Sequence, residues 1–296
     1  MSARSQTTLL AGLVGLLVAV SGCGDDPTGP SRDPIIWNIP DEDSFEAAAD
    51  GAIPGDTLEV SSVFVPLPAL TKTVTFDSDQ TPLVIRGRRG FPVLTIGSDD
   101  PILRFVSPRT GTRISGMAFS GGSVALTIEG GTMAIDDCNF IDGTVQILGS
   151  GGGTRVDVSE TVMRDAAAFA IVMQSGASVI AVNNTINEAG DCGILITSNS
   201  RGEVNNCIIS NSVNFGIACT DGGSLVTTSG CNDIYMSGMA MYQNCGPGVD
   251  DFALDPEFCG PPTDLTIQTT SPCAPANSGD CGLIGALIDL CDPVIP

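Results

Sequence analysis

A six-residue pattern that recurs through the middle of the chain constrains its fold more than any other feature. Each copy begins with Ile or Val and continues with polar residues, and the copies follow one another every 22 to 24 residues. The residues taken as equivalent in successive copies are Cys138, Thr161, Thr185, Cys207 and, in a copy with one extra residue, Cys231. A fixed period in this range is typical of a solenoid, in which each repeat forms one turn.

Two other series of short β-prone segments run in phase with the first. Residues 193–196 belong to the series that follows each copy, and residues 180–182 to the series that precedes it. Gly, Asn, Ser and Asp separate the segments, and these residues suit tight turns. The segments therefore predict three strands per turn, stacked in parallel about 4.8 Å apart. A β-sandwich is the alternative, but it gives no reason for three series to stay in phase.

The small residues at the equivalent positions predict a ladder inside one corner of the solenoid. Side chains alternate in direction along a strand, so equivalent inward residues stack from turn to turn. We expect Thr161 and Thr185 to point inward between Cys138 and Cys207, and Asn183 to lie at an outward corner.

The segment before the repeats predicts a cap for one end of the solenoid. Residues 43–51 form an Ala-rich stretch with Asp43 or Ser44 as the N-cap and Gly51 as the stop, which indicates a short helix. A turn and a strand follow at residues 54–60. Because a solenoid must cover the open end of its apolar core, we expect this helix to lie there.

Taken together, these features resemble a known family. The helix leads into Pro54-Gly55-Asp56-Thr57, Asn-Asn corners follow in the coils, and residues 253–259, 264–267, 271–273 and 281–286 form a closing segment. In these respects the chain resembles the right-handed parallel β-helix proteins of the pectin-lyase-like superfamily, and among them a subgroup of secreted bacterial lipoproteins. The resemblance implies a fold and not a function, because the superfamily includes polysaccharide lyases, hydrolases, adhesins and scaffolds.

The predicted fold is therefore all-β, a right-handed parallel β-helix of three-strand coils with a short N-terminal capping helix and an irregular Cys-rich C-terminal segment. We expect a lipoprotein signal peptide at 1–22, a flexible tether at 23–34 and one β-helix domain at 35–296. Within the domain, residues 35–60 form the cap, 61–245 the coils and 246–296 the closing segment.

The N-terminal residues predict export and a lipid anchor. Arg4 precedes an apolar run at 9–20 that is too short to span a bilayer. Residues 20–23 then resemble the bacterial lipobox, which implies cleavage before Cys23 and lipidation of that residue. Gly24 follows, where an Asp would favour the inner membrane, so we expect the outer membrane or the cell surface. An ordinary secretory signal is the alternative.

The charge of the chain disfavours several classes of partner. The formal net charge is −22, which disfavours nucleic acid and electrostatic binding to anionic lipid. We therefore expect a membrane contact through the N-terminal lipid only, and a monomer. Six of the twelve basic residues lie between Arg86 and Arg113, and they are interpreted as a solvated face rather than an anion site.

The cysteines support export to an oxidising compartment. Eleven are present, and removing the lipidated Cys23 leaves an even number. Irregular segments gain most from covalent closure. The disulfide candidates are Cys207, Cys231, Cys245, Cys259, Cys273, Cys281 and Cys291, with Cys207–Cys231 as one open pairing, whereas Cys138 is expected to be a free buried thiol. The chain has no His and no Cys-x-x-Cys pair, so no zinc site is predicted.

Few residues suggest catalysis. Without His, Ser-His-Asp and Cys-His mechanisms are excluded. The pair Asp136-Asp137 falls at a repeated corner and is interpreted as structural. The remaining candidates are Arg164, Asp165, Glu188 and Asp191, which follow equivalent strands of adjacent coils. A calcium-assisted lyase would use such a group, so Ca²⁺ stays open, although no cofactor is predicted.

The favoured interpretation is a lipid-anchored envelope protein that binds or displays, with a glycan or a surface protein as its partner. The alternative is a polysaccharide lyase or glycoside hydrolase with an atypical site, and a third is a structural envelope protein. The aromatic residues that could stack on sugars, Trp37, Tyr235 and Tyr242, are expected to lie outside the regular coils.

Overall fold

Short parallel strands wind around one axis and form the body of the protein. The computed structural model describes residues 32–40, 42–61, 69–88, 90–287 and 290–292. Within these ranges the α-helix is α1 (Glu42–Gly51), and a 3₁₀ turn lies at Gly279–Cys281. In chain order the first strands are β1 (Ile36–Ile39), β2 (Thr57–Val60), β3 (Val74–Phe76), β4 (Val84–Gly87), β5 (Val93–Thr95), β6 (Leu103–Val106), β7 (Thr112–Ser115), β8 (Ala118–Ser120), β9 (Val124–Glu129), β10 (Thr132–Asp136), β11 (Asn139–Ile141), β12 (Val145–Ser150), β13 (Arg155–Ser159) and β14 (Val162–Arg164). The remaining strands are β15 (Phe169–Gln174), β16 (Ser178–Val182), β17 (Thr185–Asn187), β18 (Cys192–Ile196), β19 (Arg201–Asn205), β20 (Ile208–Ser210), β21 (Phe215–Cys219), β22 (Leu225–Gly230), β23 (Asp233–Tyr235), β24 (Ala240–Gln243), β25 (Phe258–Gly260), β26 (Asp264–Gln268) and β27 (Leu290–Cys291).

Each complete turn gives one strand to each of three sheets. Sheet 1 is β1-β2-β4-β7-β10-β13-β16-β19-β22, sheet 2 is β5-β8-β11-β14-β17-β20-β23, and sheet 3 is β3-β6-β9-β12-β15-β18-β21-β24. The pairings within these sheets are parallel. The prediction of an all-β solenoid with three strands per turn is therefore confirmed.

Columns of apolar side chains fill the space between the sheets. Phe119 and Phe140 stack at 5.0 Å between ring centroids, and Phe76 and Phe105 stack at the same distance. Ring pairs of this kind add about 0.5–1.5 kcal/mol to the burial of their area. The column that contains the first pair continues along sheet 2 and consists of Leu94, Phe119, Phe140, Met163, Ile186, Ile209 and Ile234.

Left-handed residues form the corner between sheets 1 and 2. Asp137, Glu160, Asn183 and Asn206 occupy the same place in successive turns, and each has φ between 48° and 53°. Asn and Asp tolerate this conformation better than other non-glycine residues. Asp137 is thus one member of a repeated corner, as the sequence predicted for the pair Asp136-Asp137.

The ladder inside this corner differs from the predicted ladder at two of its five positions. The register pairs Asp136 with Ser159, Ser159 with Val182, and Val182 with Asn205. The stacked inward residues that follow from this register are Cys138, Thr161, Asn184, Cys207 and Asn232. Thr185 and Cys231 are therefore not in the ladder, and the predicted register was wrong at these two positions.

Hydrogen bonding explains why Asn184 rather than Thr185 is the inward residue. Its Oδ1 accepts from the backbone N–H of Thr161 at 3.1 Å, and its Nδ2 donates to the carbonyl of Val158 at 3.0 Å. Asn232, two turns further on, makes the same two bonds to Cys207 and Val204, both at 3.0 Å. A buried Asn with both ends of its amide bonded costs little, and it closes the backbone of the corner.

Helix α1 covers the N-terminal end of the core. Phe45, Ala48 and Ala49 lie on one face of the helix, at the spacing of an amphipathic helix, and are buried in the same apolar cluster as the coils. The prediction of an N-terminal capping helix is confirmed.

The C-terminal segment, residues 252–287 and 290–292, packs on the outer face of sheet 2. Its strands β25, β26 and β27 form a small separate sheet. Ile267, Cys273 and Ile284 pack on Ile208, and Leu265 and Ala286 pack on Val162. Between these two patches, the hydroxyl of Thr185 accepts from the N–H of Ala286 at 3.0 Å.

Two disulfides fasten the C-terminal segment. Cys231 is bonded to Cys281 and Cys259 to Cys291, with Cα separations of 5.6 and 6.2 Å. The first disulfide joins the segment to the last turn of the solenoid. Thr185 is thus buried because it faces outward beneath this segment, and not because it lies inside the coils.

Candidate functional site

The catalytic candidates lie at the corner between sheets 2 and 3. Asp165 follows β14 and Glu188 follows β17, and both have φ of 58°. Asp142 and Asn211 hold the equivalent corners of the neighbouring turns with φ of 60° and 57°. These positions recur because the chain turns from sheet 2 to sheet 3 there in every repeat. Asp165 and Glu188 therefore have a structural role in the fold.

The structure brings three of the four candidates together. Arg164 Nη1 lies 3.0 Å from Asp165 Oδ2, and both side chains are mostly buried. Burial and the neighbouring Asp165 carboxylate raise the pKa of Glu188, which Arg164 partly offsets. Asp165 and Glu188 therefore form a stacked pair of carboxylates beside one guanidinium, an arrangement able to hold a proton.

Asp191 belongs to a different cluster. Its Oδ1 accepts from Asn214 Nδ2 at 2.7 Å and from the thiol of Cys192 at 3.3 Å. The bond from Asn214 joins two successive turns on the sheet 3 side of the corner, and the bond from Cys192 is local. Asp191 thus acts in the local hydrogen bonding of the coils.

The candidate group does not suit calcium. Calcium takes six to eight oxygen ligands, and a guanidinium already neutralises one of the two carboxylates here. Within the described residues, no group of three or more His, Cys, Asp or Glu side chains is placed to hold a metal ion.

A small pocket opens beside Arg164, between the coils and the C-terminal segment. Its volume is about 110 Å³, and it is lined by the carboxylates of Asp137, Glu160 and Asp264 and by apolar residues such as Leu265. Burial and the neighbouring Asp136 and Glu160 raise the pKa of Asp137. Sequence reasoning missed Asp264, because nothing local shows that the C-terminal segment folds back to this corner.

A wider groove lies at the other end of the C-terminal segment. It has a volume of about 350 Å³ and is lined by Tyr235 and Phe258 together with Asn211, Asp255 and Gln268. Met236 at its rim is 65% exposed. The groove therefore presents two half-buried aromatic rings beside amide and carboxylate groups. This surface is called the Tyr235 groove below.

The prediction that the aromatic residues lie outside the regular coils was wrong for the two tyrosines, whereas Trp37 lies in the N-terminal cap as predicted. Tyr235 is in β23 and Tyr242 is in β24, strands of the last turn, and Trp37 is in β1. The hydroxyl of Tyr242 donates to Asp251, and its ring packs on the end of the core. The last turn departs from the repeat pattern, which is why the sequence alone did not assign these residues to strands.

Of the seven disulfide candidates, Cys231, Cys259, Cys281 and Cys291 pair, whereas Cys207, Cys245 and Cys273 are free. The open pairing of Cys207 with Cys231 is not formed. Cys231 has φ of 65° and sits at the outward corner, directly after Gly230, while Cys207 points into the core. Cys138 is a free buried thiol as predicted, and burial raises its pKa to about 12.

Comparison with known families agrees with the geometry. Residues 105–249 match the family described as right handed beta helix region. No curated protein matches the chain. The protein is thus a right-handed parallel β-helix, a fold consistent with the pectin-lyase-like superfamily.

The predicted anchor falls outside the part of the chain that can be described. Cys23, the signal peptide at 1–22 and most of the tether lie outside the described ranges. Among the described residues, no helix is both long enough and apolar enough to cross a membrane.

Proposed function

We propose that this protein is an exported, lipid-anchored β-helix of the cell envelope that binds or displays a partner without cleaving it. The observation that carries the proposal is the use of the catalytic candidates as structural corners. Arg164 is paired with Asp165, Asp165 and Glu188 occupy left-handed positions, and Asp191 holds Asn214. Side chains held by these interactions are not free to contact a substrate.

Of the pocket beside Arg164 and the Tyr235 groove, only the groove has the size of a small-molecule site. Small-molecule sites usually have volumes of about 300–1,000 Å³. The pocket beside Arg164 has about 110 Å³, which is too little for a sugar ring, whereas the Tyr235 groove has about 350 Å³. The proposed ligand is a glycan, with a protein of the cell surface as the other partner to test.

The charges around the groove restrict the class of glycan. Asp255 and Glu257 both line it, and the whole chain has a formal net charge of −22. Like charges repel, so uronic acids and sulfated sugars are disfavoured. We therefore expect an uncharged oligosaccharide that stacks on Tyr235 and bonds to Asn211 and Gln268.

A glycan array probed with the soluble form, residues 24–296, tests this proposal. We expect binding to neutral oligosaccharides, with affinity at least tenfold lower in Tyr235→Ala and nearly unchanged in Tyr235→Phe, which keeps the ring. Phe91→Ala is the matched control, because Phe91 is an exposed aromatic residue, at 44%, that does not line the groove. The assignment of this groove would be contradicted if no neutral glycan on the array bound the protein, or if both alanine variants lost the same amount of affinity.

The enzyme alternative rests on Glu188. A carboxylate with a raised pKa beside Asp165 and Arg164 has the properties of a general acid. The test is incubation with calcium and a panel of pectins, alginates and chondroitins, followed by assay of unsaturated and reducing ends. Products that disappear in Arg164→Ala would establish catalysis at this corner, and products that persist would place it elsewhere.

The lipid anchor has its own test. We expect labelled palmitate to enter the wild-type protein but not Cys23→Ser, which should accumulate as an uncleaved precursor. Label in the variant would refute lipidation at Cys23, and it would leave the binding proposal intact.

A further inference from the structure

Two thiols face each other at the C-terminal end of the coils. Cys219 ends β21, and its side chain is fully buried in the core. Cys245 follows β24, is half-buried and packs on the same core. Strands β21 and β24 are parallel neighbours, with Ala218 opposite Gln243. The two cysteines therefore lie in adjacent turns, and their side chains interact.

The backbone explains why Cys245 points inward. The register places Asn244 opposite Cys219, but Asn244 has φ of 56° and donates from Nδ2 to the carbonyl of Cys219 at 2.9 Å. This left-handed residue turns the chain, so that the next side chain enters the core. The sulfur of Cys245 consequently lies 3.2 Å from the carbonyl oxygen of Gln243 and 3.9 Å from that of Ile217.

We propose that Cys219 and Cys245 form a third disulfide, which joins the last two turns of sheet 3 and closes the C-terminal end of the core. Residues on neighbouring strands are about 4.8 Å apart, and an offset of one residue keeps the Cα separation near the range of about 4.4–6.8 Å that a disulfide takes. Other free cysteines have different neighbours, since Cys192 contacts Asp191 and Cys273 contacts Asp233.

The bond forms by thiol–disulfide exchange with an external disulfide, either a protein oxidant of the compartment or a low-molecular-weight disulfide. The Cys245 thiolate, the less buried of the two, attacks one sulfur of the donor and releases the first donor thiol. The Cys219 thiolate then attacks the Cys245 sulfur of the mixed disulfide and releases the second. The two cysteines lose two protons and two electrons, and the donor gains them as it becomes two thiols.

Burial determines when this reaction occurs. It raises the pKa of both thiols, so few thiolates are present once the end of the core has closed. The exchange is therefore expected during folding in the oxidising compartment, before β24 and the following loop seal the end. The bridge would hold the loop that contains Asp251, the hydrogen-bond acceptor of Tyr242.

The test is peptide mapping of the exported full-length protein after alkylation in denaturant without reductant. We expect three cross-linked pairs, Cys231–Cys281, Cys259–Cys291 and Cys219–Cys245, and alkylated Cys192 and Cys207. Alkylation of both Cys219 and Cys245 would overturn the proposal, as would pairing of either with another cysteine.

A second measurement forms the disulfides in vitro, so that its result does not depend on how completely the producing cell oxidises the protein. Protein reduced and unfolded in denaturant is refolded with oxidised glutathione, and Cys245→Ser is compared with Cys192→Ser. We expect the Cys219–Cys245 cross-link in Cys192→Ser, and a melting temperature lower by about 5–10 °C in Cys245→Ser. A stable glutathione adduct on Cys245, or equal melting temperatures, would show that the bridge does not form.

Discussion

The coils and the C-terminal segment bury apolar surface in different ways. In the coils, each inward residue such as Phe119 has a neighbour from the turn before and the turn after, and the stacked strands satisfy the backbone. The C-terminal segment has three strands in a small separate sheet, and it reaches a similar burial at Leu265 and Ile267 by lying against the outside of sheet 2. Its two disulfides compensate for the interactions that a regular repeat would supply.

This contrast implies that the coils are stable without the C-terminal segment, while the segment depends on the coils. Repeat proteins gain stability mainly from contacts between neighbouring turns. The segment contacts the coils through a few outward residues, among them Val162, Thr185 and Ile208. Local opening should therefore begin at the C-terminal segment.

The largest effect is expected from a change inside the coils. Phe119→Ala removes a ring that is fully buried and stacked on Phe140, which should lower the free energy of unfolding by about 3–5 kcal/mol. Denaturant unfolding followed by circular dichroism measures this loss. Phe91→Ala, at an exposed ring, is the control and should cost less than about 1 kcal/mol.

Removal of the disulfide between the two regions should affect the C-terminal segment and spare the coils. The double variant Cys231→Ser/Cys281→Ser should lose about 2–4 kcal/mol in the docking of the segment. Limited proteolysis should cut after residue 252 and leave a resistant core of coils. If cleavage began in the coils instead, the proposed independence of the two regions would be wrong.

The docked segment should also give the protein a pH-dependent stability. Burial beneath it raises the pKa of Asp233 from 3.8 to about 6, with Cys273 and the N–H of Leu254 as partners of the carboxylate. The folded state binds this proton more tightly than the unfolded state. The contribution is therefore fully present below about pH 4, and it is lost as the pH rises through about 6.

Asp233→Asn removes that dependence. The difference in unfolding free energy between variant and wild type should grow in favour of the variant from pH 4 to pH 6, reaching on the order of 1–3 kcal/mol. Urea denaturation at a series of pH values measures it. A constant difference across the series would mean that Asp233 stays charged in the folded protein.

The smallest effects come from a matched pair of threonines. Thr185→Val removes the acceptor of the Ala286 N–H, and Thr161→Val removes the acceptor of the Cys138 N–H inside the ladder. Each should cost about 1 kcal/mol, but in different places. Hydrogen exchange should show faster opening at Ala286 only in the first variant, and at Cys138 only in the second. Faster exchange at Cys138 in Thr185→Val would instead support the register predicted from the sequence, in which Thr185 belongs to the ladder.

The sequence by itself determined the architecture of the coils. A period of 22 to 24 residues, three β-prone segments per period and turn residues between them leave few folds open. The same regularity showed Asp136-Asp137 to be a corner, and local helix signals showed that the Ala-rich stretch before the repeats is a capping helix. These features are local or periodic, and they can be read without knowledge of distant contacts.

Only the tertiary structure decided the register at Thr185, the disulfide partners and the site surfaces. A shift of one residue changes which of Asn184 and Thr185 points inward, and both are small polar residues that fit either place. The path of the C-terminal segment determines where Asp264 and the Tyr235 groove lie, and which cysteines meet. Such contacts join residues far apart in the chain without any repeat to align them, so no local pattern in the sequence reveals them.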